Sequence, residues 1–219
     1  MPTMEVSTME SRQIETVYDL VADRYADQFR DELDHKPFDR HWLDRFAALT
    51  QGIGPVCDLG CGPGHVAAYL RDRGCDVVGA DFSEGMLRQA RRLNPSIEFQ
   101  RQDMLELTFP PDALGGIAAF YAIVHFTLDQ AEVAFREFRR VLAPGGFALL
   151  SFHIGDEPKH VDEFLGMPVA IDFAFFDPDD IVDRLTTAGL DIEEVTIRYP
   201  YRDVEYPSKR AYILSRKPV

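Results

Sequence analysis

From residue 55 to residue 153 the chain alternates short apolar runs with amphipathic ones, and no other feature restricts its fold as much. Residues 55–59, 76–82, 97–103, 117–124 and 147–153 read as strands. Helices read over 65–73, over 84–93 behind Ser83 as a cap, and over 128–142, where Thr127 and Gln130 have capping-box spacing. Strands joined by helical crossovers form a parallel sheet covered on both faces, a doubly wound α/β fold. Asp177-Pro178-Asp179-Asp180 opens one more helix, which stops at Gly189. The last strand-like runs, 192–199 and 210–215, are too close in sequence for a crossover and should pair antiparallel.

Ahead of this core, residues 1–10 read as a disordered tail and 13–29 as a helix with Val17, Val21, Tyr25 and Phe29 on one stripe. Pro37 redirects the chain into a second helix carrying Trp42, Leu43 and Phe46. With 219 residues there is room for one sizeable α/β domain. The stretch 155–176 is long for a connection, and such segments in compact domains are usually functional.

The turn after the first strand is Asp58-Leu59-Gly60-Cys61-Gly62-Pro63-Gly64. Glycines between a strand and a helix let backbone approach a ligand closely and aim helix N–H groups at it. A P-loop needs Gly-Lys-Ser/Thr, and this loop has no lysine. The dinucleotide fingerprint needs a wider third spacing than Gly60, Gly62 and Gly64 provide, which disfavours an NAD(P)-dependent oxidoreductase.

The segment VCDLGCGPG closely resembles the signature of class I S-adenosylmethionine-dependent methyltransferases. The resemblance extends to Asp81 at the end of the second strand, where a carboxylate accepts ribose hydroxyls, and to Asp103-Met104, which hold and cover the adenine. LAPGG, residues 142–146, is similar to the turn before the family's fifth strand. It implies S-adenosyl-L-methionine as cofactor, held by Tyr18, Tyr25, Asp58, Gly60, Cys61, Gly62, Gly64, Asp81, Phe82, Met86, Asp103, Met104 and Tyr121. It also implies a seven-stranded sheet in the order 3-2-1-4-5-7-6. The domain is then a tail (1–10), a helical lid (11–50), a cofactor core (51–154), an insert lining the acceptor site (155–176), and a last helix and hairpin (177–219). One departure stands out: relatives often carry an acid leading into the fourth strand, where this chain has Gly115-Gly116.

Methyl transfer from a sulfonium needs alignment and exclusion of water, plus a base near neutral pKa when the acceptor is a hydroxyl or amine. His125 follows the fourth strand and His153 ends the fifth, at the sheet edge where such folds bind ligands. Each reads either as a general base or as a positioning hydrogen-bond partner. Tyr18 and Tyr25 share a helical face and read as a flap over the cofactor or as core. Arg24 beside them reads as a partner for the methionyl carboxylate or as a solvated side chain. Phe173, Phe175 and Phe176 read as acceptor-pocket wall or as core.

The net charge of −14 opposes nucleic acid and anionic lipid at long range. The expected partner is a small-molecule acceptor, with no nucleic acid and no membrane, and the protein is a monomer or homodimer. Three cysteines make no disulfide framework, no metal site is expected, and the N-terminus lacks a secretory pattern, so the expected compartment is the cytoplasm. Beside small-molecule methylation at O or N, two readings stay open: non-methylating chemistry on the same cofactor, and a non-catalytic cofactor-binding partner.

Overall fold

The computed structural model describes residues 3–219, with side chains from Arg12 onward. The chain runs α1 (Thr3–Phe29), a 3-10 turn (Glu32–His35), α2 (Pro37–Thr50), β1 (Val56–Leu59), α3 (His65–Asp72), β2 (Val77–Asp81), α4 (Glu84–Leu93) and β3 (Glu98–Arg101). It continues through β4 (Leu114–Phe120), α5 (Leu128–Val141), β5 (Leu142–His153), β6 (Lys159–Phe164), β7 (Met167–Phe173), α6 (Pro178–Thr187), β8 (Asp191–Arg198) and β9 (Arg210–Arg216). Seven strands form one sheet in the order β3-β2-β1-β4-β5-β9-β8, while β6 and β7 pair separately. Once that inserted pair is skipped, this is the expected 3-2-1-4-5-7-6 order. The first five strands are parallel, and β9 runs antiparallel to both β5 and β8.

Successive residues of the central strands serve opposite cores, as the two-residue period of a strand requires. Cys57, Ala148, Leu150 and Phe152 pack beneath α5 and α6 with Phe135, Phe138 and Leu185. Val56, Phe147 and Leu149 pack on the other face with Trp42, Phe46, Leu70 and Tyr212.

The structure departs from the sequence reading in three places. Helix α1 begins at Thr3, inside the stretch expected as a tail, because no Gly or Pro interrupts the chain from there to Phe29; Met1 and Pro2 lie outside the described residues. Helix α2 is core and not lid: its stripe of Trp42, Leu43, Phe46 and Ala47 is buried, and only the sheet face offers enough apolar surface to cover it. The long stretch 155–176 is a hairpin. Leu165 and Gly166, both at positive φ, form its two-residue turn, and Phe164 pairs with Met167 across it. A register shift between Val161 and Glu163 breaks the alternation on β6, which hid the strand.

Gly115-Gly116 also finds its reason. Gly115 N donates to Pro55 O at 2.7 Å, and a Cβ on Gly115 would sit 2.5 Å from Gly54 N. Backbone meets backbone there, so no side chain fits. Gly115→Ala is expected to cost about 1–3 kcal/mol as overpacking, read as a lower urea midpoint with an unchanged slope.

Candidate active site

The carboxyl ends of β1, β2, β3 and β4 open into one cavity of about 590 Å³. Its floor is the glycine loop. Gly60, Gly62 and Gly64 all have positive φ, which places their backbone where an L side chain is strained. A Cβ on Gly60 would lie 2.5 Å from Ala122 Cβ and 2.9 Å from Met104 Cε, whereas Gly62 has only the Tyr25 ring, 3.6 Å away. Gly62 therefore presents bare backbone to the cavity beneath Tyr25. Gly64 caps α3 and does not line the cavity.

Two buried carboxylates brace the loop. Asp58 Oδ2 accepts from Ala67 N at 2.8 Å, tying β1 to the first turn of α3. Burial pushes Asp58 up to about 7. Asp81, at the end of β2, accepts from Gly62 N and Ser83 N, each at 2.8 Å. Burial raises its pKa too, against those backbone bonds. Phe82, Met86, Asp103 and Met104 continue the wall, and Asp103 Oδ1 accepts from Leu105 N. Tyr121, just past β4, also has positive φ, an uncommon state for an aromatic residue and one that concentrates at functional sites. Apart from Gly64, the residues assigned to the cofactor all line this one cavity.

Helix α1 and the β6–β7 hairpin make the roof. Asp19 Oδ1 accepts from Ser83 Oγ at 2.6 Å and Gly85 N at 2.7 Å, which clips α1 to the start of α4. Arg24 donates to Leu165 O at 2.8 Å, so it joins α1 to the hairpin turn and does not line the cavity. Tyr18 and Tyr25 both face inward, 6.1 Å apart, with Phe164 beside them. Of the aromatic trio, Phe173 and Phe175 line the cavity, while Phe176 is buried in the core against Phe152.

Both histidines reach the cavity. His125 Nδ1 donates to Asp172 O at 2.7 Å, so its neutral ring carries the lone pair on Nε2 and accepts there from Tyr18 OH at 2.8 Å. His153 Nδ1 meets Ser208 Oγ at 2.8 Å, and its ring lies between Tyr121 and Phe175. Burial holds His125 down to about 4; burial, then Arg210 and Lys36, hold His153 at about 4. Both are neutral at pH 7 and weak as bases. The geometry suits hydrogen-bond positioning better than proton abstraction, by His153 of a ligand and by His125 of Tyr18.

A depressed imidazole costs stability in acid, because the unfolded ring binds its proton first. Each ring removes about 2 kcal/mol between pH 7 and pH 5, and that loss starts near 6.5 and is complete near 4. Asp58 acts in the opposite sense over the same window, since its folded pKa is raised. The clean readout is a comparison. His125→Gln should lose about 2 kcal/mol less than the unsubstituted chain when urea melts at pH 7 and pH 5 are compared. Equal losses would mean that His125 is not held neutral.

Sequence reading missed a polar network behind Tyr121. Arg198 Nη2 donates to Asp39 Oδ1 at 2.9 Å, Tyr212 OH donates to the same oxygen at 2.6 Å, and both Arg198 Nη atoms reach Glu205 at 2.7 Å. Lys36 and His65 share Glu32, at 2.6 and 2.8 Å; burial opposes its charge, yet the two partners hold it down to about 2. Its members come from the 3-10 turn, α2, α3, β8, β9 and the β8–β9 connection, and no local spacing announces them.

The comparisons agree with this geometry. Residues 56–146 match the family model described as a methyltransferase domain. The demethylmenaquinone methyltransferase of Thermus thermophilus is 36% identical over 116 residues, 49% of this chain and 52% of that protein. The trans-aconitate 2-methyltransferase of Sinorhizobium medicae is 35% identical over 123 residues, 54% of this chain and 46% of that one. The chain thus spans about half the length of these curated relatives. A Methanosarcina mazei S-adenosylmethionine-dependent methyltransferase superposes with a TM-score of 0.70 at 16% identity, covering 77% of this chain and 94% of that one. The [4+2]-cyclase SpnF superposes with a TM-score of 0.69 at 17% identity, over 95% of this chain and 96% of that one. Among the described residues no helix is long and apolar enough to cross a membrane. The glycine loop and the strands that follow it, residues 56–146, therefore form a methyltransferase domain, and the chain has the fold of the class I S-adenosylmethionine-dependent methyltransferases.

Proposed function

We propose that this protein transfers a methyl group from S-adenosylmethionine to the oxygen or nitrogen of a small molecule. The observation that carries the reading is one continuous cavity, running from the glycine loop and Asp81 to an aromatic chamber between Tyr121, His153 and Phe175. The residues fit the cofactor. Gly62 is a bare cradle, Asp81 keeps a carboxylate at the wall, and Met86 and Met104 supply polarisable apolar surface beside it. Asp103 and Phe82 complete that half.

When bound, the cofactor supplies an electrophilic methyl and its own leaving group. The chain's task is alignment and dryness. α1 and the hairpin close over the site through Asp19, Arg24 and Tyr18, excluding water. Tyr18 and Tyr25 present ring surface, which favours a cation. Both histidines are neutral: His153, with Nδ1 on Ser208, orients the acceptor through Nε2, while His125 spends both nitrogens on Asp172 O and Tyr18 OH and fixes the Tyr18 ring.

A small acceptor also matches the charge, since a chain at −14 repels polyanions. The relatives named above act on demethylmenaquinone and on trans-aconitate, as their names state. We place the protein in the cytoplasm, acting as a monomer or homodimer. A second reading keeps the cofactor without methyl transfer, since the same fold is found in a [4+2]-cyclase and a fold does not dictate its chemistry. The experiment that separates them is incubation with methyl-labelled S-adenosylmethionine and a small-molecule panel. Labelled acceptor and S-adenosylhomocysteine are expected; cofactor binding with no transfer would support the second reading.

A further inference from the structure

Beyond the glycine loop the cavity becomes a chamber with aromatic walls and a basic edge. β5 and β9 pair so that His153 stands opposite Arg210, and β9 and β8 pair so that Arg198 stands opposite Arg210. Directly paired residues share one face of a sheet, so the three basic side chains form a row. Cations set side by side repel, and acids must offset them. For Arg198 they do, through Asp39 and Glu205.

Arg210 has one carboxylate, Glu205, and shares it with Arg198. Glu205 already accepts from both Arg198 Nη atoms and from Tyr201 N. Arg210 Nη1 donates only to neutral carbonyls, those of Tyr206 and Ser208. Its Nε lies 3.2 Å from Glu205 Oε1, yet it is buried without a hydrogen bond. The residue is 2% exposed and lines the cavity. A buried guanidinium with an unmet donor is costly unless something else meets it. Lys159, also lining the chamber, pairs with no carboxylate among the described residues: its Nζ donates to Tyr206 OH at 3.0 Å and sits 4.2 Å over that ring.

Among the described residues the chamber also lacks a proton acceptor of useful strength. His125 Nε2 is taken by Tyr18 OH, and His153 sits beside Arg210 and Lys36, which hold it neutral after burial. Glu32 is ion-paired to Lys36 and His65. Glu205 is ion-paired to Arg198, which keeps it charged although burial works the other way. An acceptor that arrives protonated would have no partner to take its proton.

Resting on the methyltransferase reading above, we propose that the acceptor is a small organic acid with an apolar, ring-sized body, held at Arg210 by its carboxylate and methylated on that carboxylate. One oxygen accepts from Arg210 while the other attacks. A C–O bond forms as the S–CH₃ bond breaks, and the bonding pair stays on sulfur. A carboxylate anion and a sulfonium cation become a neutral methyl ester and a neutral thioether. No proton is released, so no base is needed. Lys159 draws the anion towards the chamber, and Phe175 and Tyr206 cover its apolar body.

The test begins with binding. The enzyme, saturated with S-adenosylhomocysteine, is titrated calorimetrically with benzoate, phenylacetate and cinnamate, each beside its neutral amide. At least one acid is expected to bind about tenfold or more tighter than its amide. Arg210→Gln should erase most of that preference while leaving S-adenosylhomocysteine affinity unchanged. Lys159→Gln alters an exposed side chain and keeps the test alive should Arg210→Gln fail to fold; it should shrink the preference by a smaller factor. A panel in which no acid outbinds its amide overturns the inference, and so does a preference that survives substitution. Turnover is read separately with methyl-labelled S-adenosylmethionine. Methyl esters release labelled methanol in mild alkali. Alkali-stable product from phenol, benzyl alcohol or benzylamine, with none from the acids, overturns this inference and keeps the methyltransferase reading. Transfer to neither panel, with cofactor bound, counts against the methyltransferase reading, and the binding preference then decides the anion site by itself.

Discussion

Asp81→Ala is expected to weaken S-adenosylmethionine binding at least tenfold, the largest functional loss from any single side chain of the cofactor half. Charge-assisted hydrogen bonds contribute roughly 1.5–3 kcal/mol each, and a carboxylate facing a ribose makes more than one. The structure adds a second route to the same loss. Asp81 also anchors Gly62 N and Ser83 N, so its removal frees both the glycine loop and the cap of α4. Asp81→Asn keeps one acceptor oxygen and should lie between the two extremes. Calorimetric titration of a variant whose circular dichroism is unchanged gives the answer. Unaltered affinity would remove the cofactor from this cavity, and with it the proposed function.

Arg198→Met is expected to lower stability by about 3–5 kcal/mol without touching the glycine loop. Asp39 is 1% exposed, and Glu205 has a side chain 1% exposed; each would lose its main counter-charge. Tyr212 OH would remain on Asp39, and Arg210 near Glu205, which limits the damage. At roughly 2–4 °C per kcal/mol for a chain of this size, the midpoint should fall by about 6–20 °C. Adding Asp39→Asn removes the orphaned charge and should recover part of the loss. A loss below about 1 kcal/mol would mean that water screens the network, as it does for surface pairs. The same variant probes the chamber, because Arg198 takes the hydrogen bonds of both Glu205 oxygens and leaves Arg210 Nε beside them without one.

Local pattern in the amino-acid sequence determined much of this protein. The strands and helices from β1 to β5 are visible as short continuous apolar runs between amphipathic ones, since parallel strands here are buried on both faces and the helices on one. Ser83, Thr127 and Asp177 cap α4, α5 and α6 as their positions foretell, each side chain accepting from a backbone N–H a few residues on. The glycine loop and Asp81 are legible for the same reason, because a strand, a tight turn and a helix lie within one short segment.

Tertiary structure alone decided the rest. Glu32 meets His65 across 33 residues, Tyr18 meets His125 across 107, and Arg198 meets Asp39 across 159. No periodicity encodes such contacts; they exist because the sheet order brings distant strand ends together. The β6–β7 hairpin was partly legible, in the alternation of Met167, Val169, Ile171 and Phe173 after Leu165-Gly166, but a bulge broke the matching pattern on its partner. Helix α2 shows the opposite case. Its apolar stripe was visible, and only the competition for sheet surface settled that it is core while α1 is roof. His125 and His153 were found by position after strand ends, yet their neutrality came from burial, joined at His153 by Arg210 and Lys36 from distant parts of the chain, which no reading of their own neighbours supplies.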